Sequence, residues 1–175
     1  VKDIYDTTTN KWKTVALVGF RDGGKSYTAI DITDTENPKH LFTFENNTFE
    51  KNIYYWDEDG KKQTFYYEKS APDSDYDYSK LANTYSTPII QRVKYNNDDK
   101  WVAIFGAGLD ESSDLGSAVY VIDLNDGGKV LKKIELDDSD KTVYNSVSAT
   151  MTFITADTAT KADYYGSMAY VPDYE

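Results

Sequence analysis

One unit of sequence occurs twice in this chain, and that repetition restricts the fold more than any other feature. Residues 15–19 (VALVG) return as 102–106 (VAIFG), and residues 24–31 (GKSYTAID) return as 116–123 (GSAVYVID). A Lys-Trp pair precedes each copy, Lys11-Trp12 and Lys100-Trp101, so Trp12 and Trp101 read as equivalent packing residues. Each copy runs through a polar turn into a further strand-like segment. Strand, glycine-containing loop, strand closed by Ile-Asp, turn and strand together have the form of a β-propeller blade. The copies lie roughly two blade lengths apart, so an inserted or divergent element separates them.

The remaining periodicity agrees with strands. Residues 27–33 (YTAIDIT) alternate and are rich in β-branched and aromatic side chains, and 40–44, 88–93, 101–106, 118–124 and 130–136 are similar short runs. Gly, Asp, Asn or Pro bounds each of them, and no stretch of a dozen residues carries a 3.6-residue period. The expectation is an all-β chain. A four-stranded unit fits 86–136. Before it lies a unit starting inside a strand at Val1, and after it two strands near 148–156 and 164–171. The whole of 1–175 then reads as one partial β-propeller of about two and a half blades, each a four-stranded antiparallel sheet. So few blades leave strand edges and faces open. The expected partners are therefore the remaining blades, from the same protein or another chain.

Residues 45–84 differ in character. Aromatic runs at 53–56 (IYYW) and 64–67 (TFYY) flank Asp57-Glu58-Asp59-Gly60, and Asp-Gly between alternating aromatic runs signals a hairpin. An acidic, tyrosine-laced stretch, 71–78, follows. This segment reads as an aromatic hairpin and loop inserted in the scaffold and projecting from it. Tyr54, Tyr55, Trp56, Tyr66, Tyr67, Tyr76 and Tyr78 become candidates for contact with a protein or a sugar, since Tyr and Trp offer large amphipathic surfaces. Covering a sheet face is the competing role for the same rings.

Composition removes many functions. The 175 residues carry 30 acidic against 19 basic side chains, a net charge of −11, which repels phosphate backbones and argues against nucleic acid. No apolar run reaches the ~18 residues of a membrane span. The absence of Cys excludes disulfides, thiolate metal sites and covalent haem, and a single His (His40) excludes multi-His metal sites. The Gly24-Lys25-Ser26 stretch lacks the earlier glycine of a phosphate loop. No arrangement of residues suggests catalysis. Asp31 and Asp123, which close the repeated strands, read as caps for turn amides.

Taken in order, these segments resemble PilY-type proteins. The resemblance rests on 12–38 (WKTVALVGFRDGGKSYTAIDITDTENP), on the Ser86-Thr87-Pro88-Ile89-Ile90 entry strand, on 100–106 (KWVAIFG), and on 118–124 with the Gly127-Gly128-Lys129 turn. It covers about three quarters of the chain, leaving out the aromatic segment. It implies a modified β-propeller at the outer-membrane or extracellular surface. Its role there would be in type IV pilus assembly and adhesion, binding pilus subunits or a surface receptor or glycan without catalysis. It also implies a calcium loop, which in the family reads Asp-x-Asp-Gly-Asp-Gly-x-x-Asp. Here the matching stretch keeps Asp157 and Asp163 as its acids, with Thr158 and Thr160 where the family has glycines. Calcium takes six to eight oxygens, so a depleted ligand set and a plain hairpin turn both stay open. A second acidic pattern, Asp73-x-Asp75-x-Asp77, offers the first three positions of an EF-hand-like loop but lacks its Gly and its closing Glu. A carbohydrate-binding module would share the acid and aromatic content. A quinoprotein dehydrogenase propeller would also use such blades, but it needs a cofactor pocket and usually a Cys pair.

Overall fold

The computed structural model describes residues 1–67, 74–110, 115–136, 145–154 and 168–172. It is built of antiparallel sheets, as expected. The first sheet holds six strands in chain order: β1 (Lys2–Asp6), β2 (Lys11–Gly19), β3 (Ser26–Asp31), β4 (Lys39–Asn47), β5 (Asn52–Trp56) and β6 (Lys62–Tyr66). The second holds β7 (Ile89–Tyr95), β8 (Asp98–Gly106), β9 (Ala118–Asp123) and β10 (Lys129–Glu135), again in consecutive order. A third pair, β11 (Thr152–Ile154) and β12 (Met168–Tyr170), begins another sheet.

The first sheet departs from the expected four strands. The aromatic hairpin does not project from the scaffold: β5 pairs with the free edge of β4 through Thr43↔Trp56, Phe44↔Tyr55 and Glu45↔Tyr54, and β6 pairs with β5. The reason lies in the inward side chains. Ile53 and Tyr55 are buried, and in-plane extension of the sheet lets them join the row begun by Phe42 and Phe44. Gly60 closes the hairpin with φ +73°, the left-handed conformation that the Asp-Gly signal anticipates.

The repeat seen in the sequence is a repeat of register. Val15 pairs with Asp31 as Val102 pairs with Asp123, and Leu17 pairs with Ala29 as Ile104 pairs with Val121. Even the irregularity recurs. Leu41 is skipped between the pairs Ile30↔His40 and Ala29↔Phe42, and Leu131 is skipped between Ile122↔Val130 and Val121↔Lys132. A bulge at the same point of two sheets gives both the same local twist. The tryptophans obey a different rule. Lys13 and Lys100 are the register equivalents, so Trp12 precedes that position and Trp101 follows it. The β1–β2 connection is longer than the tight Asn96-Asn97 turn of β7–β8, where both residues take positive φ. Sequence matching alone aligned the two rings wrongly. They nevertheless meet edge to face, with centroids 6.0 Å apart.

The first two sheets pack face to face. Tyr27 and Ala29 of β3 and Phe42 and Phe44 of β4 alternate inward, as a strand period of two requires. They meet Phe105 and Tyr120 of the second sheet: Tyr27 lies 4.6 Å and Phe44 6.1 Å from the Phe105 ring. Each such buried ring contributes about 2–3 kcal/mol through removal from water. In β8, Val102, Ala103, Ile104 and Phe105 are all buried, so this strand is covered on both faces. Its second cover comes from the next unit: a Cβ on Gly106 would stand 2.0 Å from the Val147 carbonyl oxygen. Gly19, the equivalent glycine of the first sheet, lies against Thr84 in the same way, with 2.9 Å between its would-be Cβ and the Thr84 hydroxyl. In both sheets this glycine is therefore met by the segment that leads into the next strands.

Candidate binding surface

The residues proposed for contact lie on or beside β5 and β6, and the sheet period sorts them. Tyr54 and Trp56 point away from the second sheet, Tyr55 toward it. Their positions on the outer face are held by neighbours. Lys62, opposite Trp56, places its ammonium 3.1 Å from the centre of the Tyr54 ring and 5.4 Å from that of Trp56. Tyr54 and Trp56 themselves stand edge to face, 5.9 Å apart. The Tyr54 hydroxyl donates to the Glu50 carboxylate, which draws the Glu50 pKa down and the Tyr54 pKa up. Tyr66, more than half exposed, completes the row on β6.

The structure corrects the expectation for two of the seven rings. Tyr55 is 4% exposed and Tyr78 fully buried, so neither can meet a partner. Tyr78 is a core residue: it stacks on Phe44, sits 5.4 Å from Tyr120, and donates its hydroxyl to the Gly128 carbonyl. Tyr76, in the 3-10 turn Ser74–Tyr76, stacks on Phe65 at 5.0 Å and lies 4.4 Å from Tyr55. Tyr67 is half-buried, and burial pushes its pKa up to about 12. Of the other five, Tyr54, Trp56 and Tyr66 share the outer face of β5 and β6, while Tyr67 and Tyr76 are half-buried beside it. A two-residue period in which every residue is aromatic carries no mark of which face is wet, so the sequence did not separate them.

The acidic residues singled out for a metal have lysine partners where the structure describes them. Asp75 stands 3.5 Å from the Lys129 ammonium, and Asp77 stands 2.5 Å from that of Lys133. Burial by itself raises the Asp77 pKa, but the Lys133 ammonium and the Ser79 hydroxyl outweigh it and hold the carboxyl below its usual range. In this arrangement both carboxylates are paired with ammonium groups, the Asp77 pair being the closer and more buried of the two. Asp73, Asp157 and Asp163 lie outside the described residues. Among the described residues, no group of three or more His, Asp or Glu side chains is placed to hold a metal ion.

The repeated Ile-Asp strand ends do cap turns. Asp31 accepts from the Thr33 amide at 2.9 Å, and Asp123 from the Asn125 amide at 2.9 Å. Asp123 is 1% exposed and also takes the Lys100 ammonium at 2.8 Å. That hydrogen bond draws the Lys100 pKa up. This pair forms one wall of a polar cleft of about 470 Å³, with Thr7, Thr8, Asp98 and Asp126 around it. Sequence reasoning did not find the cleft, because it forms where three strand-turn ends meet.

What the fold defines is a class: an all-β chain of successive antiparallel sheets stacked through repeated, register-matched faces. No family model and no curated protein matches the sequence. Among solved structures the chain is similar to the C-terminal domain of Pseudomonas aeruginosa PilY1, with a TM-score of 0.62 and 21% identity over 93% of this chain. The chain spans 25% of the length of that one. At this identity the likeness is one of fold. It meets the resemblance to PilY-type proteins read from the sequence.

Proposed function

We propose that the chain is a segment of a β-propeller belonging to a type IV pilus-associated surface protein, and that it acts by binding, not by catalysis. The observation that carries this reading is the shared fold with part of the PilY1 C-terminal domain across nearly the whole chain. The motif order that resembles PilY-type proteins supports it as well, since that order is a property of the sequence and not of the fold. The remaining blades come from the rest of the same protein or another chain. Contact with a pilus subunit or a surface receptor falls to the outer face of β5 and β6, through Tyr54, Trp56 and Tyr66. Those strands lie beyond the four that the repeat supplies.

The test is made on the producing bacterium. Antibodies against this chain should label the cell surface and co-purify with sheared pili. Trp56→Ala with Tyr66→Ala should lower adhesion while the melting temperature stays unchanged. Absence of the antigen from both the surface and the pilus fraction would reject the reading.

A further inference from the structure

We propose that β6 is a docking edge for a second copy of this chain, the two β6 strands pairing antiparallel about a twofold axis at Thr64. The surface is the edge of a sheet and not a face, and its assignment does not rest on the pilus reading.

The ladder fixes which groups the edge offers. Tyr67 donates its amide to the Lys51 carbonyl at 3.1 Å, and Asp57 donates to the Lys61 carbonyl at 3.3 Å. Both bonds fit the register that pairs Ile53 with Phe65 and Tyr55 with Gln63. In an antiparallel pair, residues bonded to the neighbouring strand alternate with residues whose N–H and C=O point the other way. Lys61, Gln63, Phe65 and Tyr67 therefore bond to β5, and Lys62, Thr64 and Tyr66 aim their backbone groups out of the edge. Among the described residues, no strand pairs with that side. The opposite edge of the sheet differs, since the Tyr5 carbonyl of β1 already accepts from the Asn125 side-chain amide at 2.9 Å.

Register and charge select the occupant. An open edge pairs with another strand unless charge or proline guards it. Lysine is the usual guard, but the Lys62 ammonium is drawn back over β5, 3.1 Å from the centre of the Tyr54 ring. With the twofold axis at Thr64, every outward residue of one copy meets an outward residue of the other. Thr64 meets Thr64, and Lys62 meets Tyr66. Thr opposite Thr is a favourable cross-strand pair, and no like charges face each other. Parallel pairing would set Lys62 against Lys62, and a shift of two residues would leave one of the three outward residues without a partner in the strand. Lys62, Thr64 and Tyr66 share their face with Tyr54 and Trp56. Antiparallel pairing therefore joins the outer rows of the two copies into one surface that a ligand can engage twice.

Sedimentation velocity on the intact natural protein tests this. Its mass should climb toward twice the monomer value as concentration rises. Thr64→Lys opposes like charges at the axis and leaves the bonds of β6 to β5 in place, so it should raise the dissociation constant about fivefold or more. Mild oxidation of Thr64→Cys in this chain, which has no cysteine of its own, should give a disulfide-linked dimer. Thr9→Cys, exposed in the β1–β2 connection, should link far more slowly. An unchanged dissociation constant in Thr64→Lys, or equal linking at 64 and 9, overturns the proposal. So does a protein that stays monomeric at every concentration, which would leave the edge to an extended strand of a different protein. None of these readouts involves pilus fractions or adhesion, so self-pairing can fail while the pilus reading stands, and the reverse.

Discussion

Tyr78 lies on Phe44 with ring centroids 3.7 Å apart and planes 4° from parallel, and its hydroxyl reaches the Gly128 carbonyl in the β9–β10 turn. One side chain from the segment between the sheets thus ties the first sheet to the second by both packing and a hydrogen bond. Removing the ring should leave a cavity at the centre of the interface. Tyr78→Ala should cost about 4 kcal/mol, and Tyr78→Phe about 1–2 kcal/mol for the hydroxyl and its stranded carbonyl partner. Urea unfolding followed by circular dichroism reads both. Equal losses for the two variants would mean that packing at this position is unimportant.

The close approach of Gly106 to Val147 predicts intolerance of the smallest side chain. Gly106→Ala should destabilise by about 3 kcal/mol, because its Cβ would meet backbone 2.0 Å away and one chain segment must move. Gly60→Ala is the control. No atom lies within 4 Å of that site, so only the cost of its left-handed φ remains, about 1 kcal/mol.

Asp77 predicts an acid limb. Its carboxyl is held below the ordinary 3.8, so the unfolded chain binds the proton first as pH drops. The pair with Lys133 therefore contributes its full stability above pH 3.8 and loses it as pH falls through the lower, folded value. Asp77→Asn should cost about 1–3 kcal/mol at neutral pH, both groups being mostly buried, and should flatten the pH dependence below 3.8. Melting temperatures between pH 2 and 7 would show an unchanged slope if the pair were inert.

Alkali should unfold the protein steeply. Burial raises the pKa values of Tyr27, Tyr55, Tyr78 and Tyr120 above the ordinary 10, and Tyr67 reaches about 12. The folded state keeps phenolic protons that the unfolded state gives up, so stability is complete below pH 10 and declines above it. Tyrosinate absorbance at 295 nm should rise together with loss of the β-sheet signal. A gradual rise with the sheet intact would contradict the buried placement.

The outer row of β5 and β6 should be nearly silent in stability. Lys62→Ala removes a cation that sits over two rings at an exposed site and should cost no more than about 1 kcal/mol. It should also change the fluorescence of Trp56, the ring nearest that ammonium after Tyr54. A large loss of stability would place these residues in the core and remove them from the contact surface.

Much of this architecture was open to reading in the residues. Strand periods, bounding turns and the doubled VALVG and VAIFG runs are local properties, and backbone geometry converts them directly into strands and their register. The Ile-Asp ends likewise announce turn caps, since Asp bonds nearby amides without help from the rest of the fold. Less could be read wherever two distant segments decide the outcome. The hairpin's continuation of the first sheet depends on the free edge of β4. The split of Tyr54 and Trp56 from Tyr55 and Tyr78 depends on which face the second sheet covers. The offset between Trp12 and Trp101 depends on the length of one turn.

Amino-acid order alone therefore determined the strands, the repeat and the likeness to PilY-type proteins, because hydrophobic alternation and turn chemistry act over a few residues at a time. Tertiary structure alone decided which aromatic rings are core, which carboxylates are taken by Lys129 and Lys133, and which face of the first sheet is left uncovered. Those outcomes are set by the stacking of one sheet on another, where burial and charge pairing act between residues far apart in the chain.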